Sequence, residues 1–184
     1  MSGDARAPFE REILPHARVL YTAARRLVRE DADARDLVQE TFLRAYRTFA
    51  AFTPGTNARA WLFTILYSVF INRYRQAQRD PDLLSIEDLQ ERFHRELGPP
   101  ASLRPASAST AARVEAALAA LPETFRAAVV LVDVEEMSYE EAAAVAGCPV
   151  GTLRSRLFRA RRLLASALDA YAPRRTAARG EPQA

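Results

Sequence analysis

Residues 138–162 read SYEEAAAVAGCPVGTLRSRLFRARR, and this stretch decides the fold. Ser138 and Glu141 have the spacing of a capping box, so a helix starts here. Its small residues Ala142, Ala143, Ala144 and Ala146 let a second helix approach closely. Gly147 suits the left-handed backbone that ends a helix, and Pro149 opens the next one. On that next helix Val150, Leu153, Leu157, Ala160 and Leu164 are expected to face inward. Ser155, Phe158, Arg159 and Arg162 lie opposite, with Gly151 and Thr152 at the exposed start and Arg154 and Arg156 at the flanks. Two short helices, a tight turn and a basic second helix form a helix-turn-helix, in which the second helix enters the DNA major groove. Arginines there can read guanine O6 and N7, Phe158 can touch a thymine methyl or a sugar, and the helix N-terminus can take a phosphate.

The rest of the chain fits a DNA reader. Its 184 residues allow one domain or two small ones, and 49% apolar residues suffice for a core. A net charge of +3 says little, but residues 154–162 hold five arginines and no acid, a local nucleic-acid footprint. All basic residues are arginine, as coding bias produces in an alanine- and arginine-rich chain. The single cysteine, Cys148, excludes an internal disulfide and a cysteine-rich zinc site. His16 and His94 lack ligand spacing, so no metal or cofactor is expected. No apolar run is long enough to span a bilayer and the start has no signal-peptide pattern, so the expected location is cytoplasmic.

Helical periodicity places a first domain at residues 9–79 and a second at 110–172, in an all-α fold. Between them, residues 80–109 are rich in proline, glycine and serine and read as an unpacked, flexible linker, with an amphipathic helical piece at 86–97. Residues 173–184 read as a disordered tail. Ala112 to Ala120 forms a helix with Val114, Leu118 and Leu121 on one side, Pro122 starts another, and Val129 to Val134 is apolar enough to be buried.

In the first domain, residues 33–49 make a helix whose core stripe is Ala34, Val38, Thr41, Phe42, Ala45 and Phe49. Asp36, Gln39, Glu40, Leu43 and Arg47 point the other way; by spacing alone this is an ordinary solvated face with one stray leucine. A second helix at about 58–78 is apolar nearly all round. Leu62, Ile65, Leu66 and Val69 form one stripe, and Phe63, Tyr67, Phe70 and Tyr74 form an aromatic stripe read mostly as interhelix packing. Trp61, Ser68, Asn72 and Arg75 fall on a third side, and Arg73 and Arg75 supply charge at its end. Rings beside guanidinium groups suit unpaired bases. The intervening loop, residues 51–57, offers Phe52, Thr53 and Asn57. These are the parts needed to hold an extruded base, but on the residues alone it reads as a plain turn whose Phe52 packs inward.

The two blocks together resemble the extracytoplasmic-function (ECF) group of the bacterial sigma-70 family. DLVQETFLRAY at 36–46 looks like that family's polymerase-binding segment, and AWLFTI at 60–65 like the start of its −10 segment. LPETFR at 121–126, SYEEAA at 138–143 and GTLRSRL at 151–157 resemble its −35-binding domain. The resemblance implies a promoter-specificity subunit of core RNA polymerase, not an enzyme, that reads the −35 duplex and captures −10 strands. It implies that Asp36, Gln39, Glu40, Leu43 and Arg47 dock on the β′ clamp helices, and that the second domain meets the β flap. Phe52, Thr53, Asn57, Arg59, Trp61, Ser68, Asn72, Arg73 and Arg75 are implied to contact −10 DNA, although family members often carry asparagine where Ser68 stands. Thr152, Arg154, Ser155, Arg156, Phe158, Arg159 and Arg162 are implied to contact the −35 element. It further implies an anti-sigma factor as partner. A stand-alone repressor would need a dimer seam, which the sequence does not offer, and would leave the acidic face unexplained. A DNA-processing enzyme would need clustered carboxylates or a nucleophile constellation, also missing.

Overall fold

The computed structural model describes residues 6–74, 84–97 and 109–169, and among these every regular element is helical. The first domain comprises α1 (Arg6–Ile13), α2 (Ala17–Leu27), α3 (Asp31–Thr48) and α4 (Ala58–Tyr74), with single 3-10 turns at Leu14–His16 and Phe49–Ala51. The second comprises α6 (Thr110–Ala120), α7 (Glu123–Val129), a π-turn at Val130–Val134, α8 (Tyr139–Ala146) and α9 (Val150–Asp169). Between them lies α5 (Ile86–Leu97).

Local chemistry sets the boundaries. The start of α3 carries Asp31 and Asp33 and its last turn Arg47, the charge order that suits the helix dipole. The Tyr21 hydroxyl donates to the Asp31 carboxylate and holds the α2–α3 corner. That bond, followed by the nearby Arg35 and Arg25, draws the Asp31 carboxyl below its usual range. Ser109 accepts from the Ala112 amide at 3.3 Å and caps α6. At α8 the capping box forms as the sequence predicts: Ser138 Oγ accepts from the Glu141 amide at 3.2 Å, and Glu141 Oε2 accepts from the Ser138 amide at 3.0 Å. Gly147 ends α8 at φ +61°. Its amide donates to Ala144 and the Cys148 amide to Ala143, which together make a Schellman motif.

The helix faces agree with the sequence in most places. Ala34, Thr41 and Ala45 of α3 are buried, and Val38, Phe42 and Phe49 pack at the edge of the core. Leu37, which the expected stripe leaves out, is fully buried because it lies between Ala34 and Thr41 on the same side. In α4, Leu62, Phe63, Leu66, Val69, Phe70 and Ile71 are buried, while Ile65 and Tyr67 lie at the edge of the core. Along α9 the buried set is Leu153, Leu157, Ala160, Leu163 and Ala167; Leu164 is only half-buried, since a 3.6-residue period carries the face to Leu163.

Two departures bear on function. First, α5 is not unpacked: Leu89 and Phe93, one turn apart, are buried, and the helix lies on α6 and α9. An amphipathic helix gains stability by burying such a stripe. Second, the two domains share one continuous core cluster, with α4 against α7 and α8 and α2 against α6 and α7.

Candidate nucleic-acid and partner interfaces

The outward side of α3 is built as the sequence predicts. Asp36, Gln39 and Arg47 are exposed and Leu43 is 45% exposed. Glu40 is half-buried and pairs with Arg44 at 2.7 Å. Tyr46, one turn beyond Leu43, is 46% exposed and sets its ring edge-on to Phe9 with centroids 5.1 Å apart. Sequence reasoning missed Tyr46, although its i+3 spacing from Leu43 is the signal that would have found it. The exposed Leu43 and Tyr46 thus form an apolar pair ringed by acids and an arginine.

The loop after α3 corrects one expectation. Phe52 is 7% exposed, stacked on Phe49 at 5.7 Å and tilted against Trp61 at 5.0 Å. With both neighbours occupied, its ring anchors the loop and offers no free face to a base. The half-buried Trp61 belongs to the same cluster. Thr53 and Asn57 stay exposed. Thr53 supplies the carbonyl that accepts the Thr56 hydroxyl at 2.7 Å, and Gly55 makes the turn at φ +84°. Asn57 Oδ1 accepts from the Ala60 amide at 3.0 Å and so caps α4. Its amide nitrogen has no partner among the described residues.

Along α4, Thr64, Ser68 and Asn72 form an exposed polar ridge at i, i+4 and i+8, with Arg73 exposed beside Asn72. Thr64 was not singled out from the sequence. The ridge borders a groove of about 330 Å³ lined by Arg44, Arg47, Thr48, Thr64, Ile65 and Ser68. Hydroxyls, an apolar floor and two guanidinium groups are groups that can receive a base and its phosphate. Arg75 lies outside the described residues.

Arg59 is placed differently from the other expected contacts. It donates to Glu135 of the second domain twice, to the backbone carbonyl at 2.8 Å and to Oε2 at 2.7 Å, and it lies 5.5 Å over the Phe63 ring. Glu135 is 7% exposed, and no sequence pattern marked it as a partner.

The basic helix presents its outward face as expected. Arg154, Ser155, Phe158 and Arg162 are exposed, and Thr152, Arg156 and Arg159 are half-buried. Phe158, at 59%, is the most exposed large apolar residue described. The Arg162 guanidinium sits 5.9 Å from its ring, and Arg154 sits 5.2 Å from the ring of Tyr139. Arg161 pairs with Asp133 at 3.2 Å, so it braces α9 against the π-turn. No group of three or more metal-ligating side chains occurs among the described residues, and none of their helices is long and apolar enough to cross a membrane.

Comparison with known proteins finds two matched segments. Residues 13–80 match sigma-70 region 2, and residues 111–164 match sigma-70 region 4. The ECF RNA polymerase sigma factor EcfG of Rhodopseudomonas palustris (strain TIE-1) is 41% identical over 139 residues, covering 73% of this chain and 71% of that protein. The RNA polymerase sigma-H factor of Pseudomonas aeruginosa is 34% identical over 175 residues, covering 91% and 89%. Among solved structures, the sigma factor RpoE of Bartonella quintana, in complex with the anti-sigma factor NepR, superposes with a TM-score of 0.65 at 29% identity, covering 88% of this chain and 97% of that one. CnrH, in complex with the cytosolic domain of CnrY, superposes at 0.60 with 32% identity, covering 92% of each chain.

Proposed function

This chain belongs to the ECF group of the sigma-70 family of RNA polymerase sigma factors, and from that membership we propose how its surfaces divide the work of promoter selection. A sigma factor directs core RNA polymerase to promoters. In this reading the α3 face around Leu43 and Tyr46 docks on the polymerase β′ clamp helices. The α9 face reads the −35 duplex, and the α4 ridge with the Thr53–Asn57 loop holds −10 bases outside the helix.

The observation that carries the reading is α9. Its N-terminal half is packed by Leu153 and Leu157 on one side and leaves Arg154, Ser155 and Phe158 exposed on the other. Such a helix enters a major groove with its first two turns against base edges. Tyr139 pre-orders the Arg154 guanidinium, which reduces the entropy lost on contact.

Strand opening then needs no nucleotide hydrolysis. A surface that binds unpaired bases and not paired ones shifts the melting equilibrium by its differential affinity. Hydrogen bonds to an extruded base contribute roughly 0.5–1.5 kcal/mol each, so several acting together offset part of the cost of unstacking it. Phe52 contributes by holding the loop, and Thr53, Asn57, Thr64, Ser68 and Asn72 present the polar groups. RpoE is seen in complex with the anti-sigma factor NepR, and by that likeness this chain too pairs with an anti-sigma factor.

The test is in vitro transcription with core polymerase on a pool of random promoter sequences. The expected result is a set of start sites sharing one −35 and one −10 sequence. Transcription no more selective than core polymerase alone overturns the reading.

A further inference from the structure

Tyr139 is the first residue of α8, and contacts from several sides converge on it. It is half-buried and packs at the edge of the core. The Arg154 guanidinium lies over its ring, 5.2 Å from the centre. Its phenol oxygen faces a second arginine of α9, Arg161. The Arg161 guanidinium is held above its ordinary range first by its hydrogen bond to Asp133 and then, more weakly, by Tyr139. Arg154 and Arg161 stand two turns apart, about 10 Å along the helix. One tyrosine from the neighbouring helix therefore meets α9 at both places.

The backbone beneath the ring is pinned as well. The capping box of Ser138 and Glu141 fixes the first turn of α8, and with it the root of the Tyr139 side chain. Asp133 in the π-turn accepts from Arg161 at 3.2 Å and offsets its charge. A line of support thus runs from Asp133 through Arg161 and Tyr139 to Arg154. Phe158 and Arg162 make the contrast. Their ring and guanidinium are 5.9 Å apart, but both are exposed and belong to α9 itself, so that ring is no fixed platform.

A platform of this kind governs selectivity more than affinity. A loose guanidinium finds a phosphate or a neighbouring base edge and still binds. One held in place meets a single base edge with both donors, and the wrong base leaves those donors unpaired. A ring occupies the flat side of a guanidinium and leaves its in-plane N–H groups to the base.

Resting on the −35 reading proposed above, we infer that Tyr139 is a specificity-determining positioning residue: it aims Arg154 at one base pair of the −35 duplex, and the Asp133–Arg161 pair holds the phenol in that aim. Tyr139 acts through Arg154, and its loss blurs one position of the recognised sequence.

The experiment uses holoenzyme assembled from core polymerase and the full chain. The −35 sequence selected from the random pool is changed one base pair at a time. Relative affinities are read by competition against the fluorescein-labelled parent duplex. Arg154→Ala marks the position that Arg154 reads. Tyr139→Leu should cut discrimination there about three- to tenfold, with every other position within about twofold of wild type. Tyr139→Phe keeps the ring and should retain most of the discrimination. In the Arg154→Ala background Tyr139→Leu should have no further effect at that position. Wild-type discrimination in Tyr139→Leu, an equal loss at every position, or losses that add in the double variant overturns the proposal. Should Tyr139→Leu fail to fold, the exposed change Asp133→Asn decides in its place. A loss at the Arg154 position alone upholds the proposal, and no loss or an even one overturns it. A wild-type holoenzyme without −35 preference overturns the functional reading instead.

Discussion

Arg126 shows how one side chain can serve two structural ends. Where α6 stops, the guanidinium donates to the carbonyls of Leu118, Ala119 and Leu121 and also reaches Leu27. Arg126→Ala removes four charge-assisted bonds at once. It should lower unfolding free energy by about 3 kcal/mol, read from urea titration. Glu141 makes a different prediction. Its carboxyl is held below the usual glutamate range, first by the Ser138 amide and then by the Ser138 hydroxyl. A carboxylate with a depressed folded value stabilises above its unfolded value, and the contribution is lost as pH falls through the folded one. Wild type should therefore be more stable than Glu141→Gln at pH 7. The gap should close below the ordinary glutamate range near pH 4, which paired thermal melts at the two pH values would check. Gly147 has open space around a Cβ, so only its φ of +61° opposes substitution. Gly147→Ala should cost about 1 kcal/mol in the same titration.

The helices carry the interfaces, and they were unevenly legible. The capping box, the glycine turn and the arginines of α9 could be read directly, because each depends on neighbours within a few residues. The same holds for α5, whose bounds follow from its amphipathic period. What escaped was set by distant residues. Nothing near Glu135 shows that Arg59 will meet it from 76 positions away. Nothing near Phe52 decides between an offered ring and a ring stacked on Phe49 and Trp61. The residues of α3 that face outward were visible as a pattern, but the family resemblance was needed to give that pattern a partner. Two outcomes follow at this scale. Leu43→Asp places a charge in the middle of the apolar pair and should abolish capture of core polymerase in a pull-down, with far-ultraviolet circular dichroism unchanged. Arg154→Ala should weaken −35 footprinting by about 1–3 kcal/mol and relax base preference at one position, with polymerase binding retained.

As a whole the molecule is a pair of helical units bridged by buried arginine and glutamate contacts, with the linker contributing a third packed piece. Its charge is weakly positive, but its basic groups concentrate on α9 and at the α2–α6 junction, where Arg25, Arg26 and Arg29 line a groove of about 320 Å³ with α6. The π-turn at Val130–Val134 determines which partners meet. Its signature bond, from the Glu135 amide to the Val130 carbonyl at 2.9 Å, takes one residue more than an α-helical turn would. That extra residue works as a phase shim, rotating everything after it by about 100°. Removing a single residue there would preserve helix content yet carry the carboxylate round to another azimuth, away from Arg59. Length changes within this five-residue turn would thus retune the docking of the two halves without altering any contact residue.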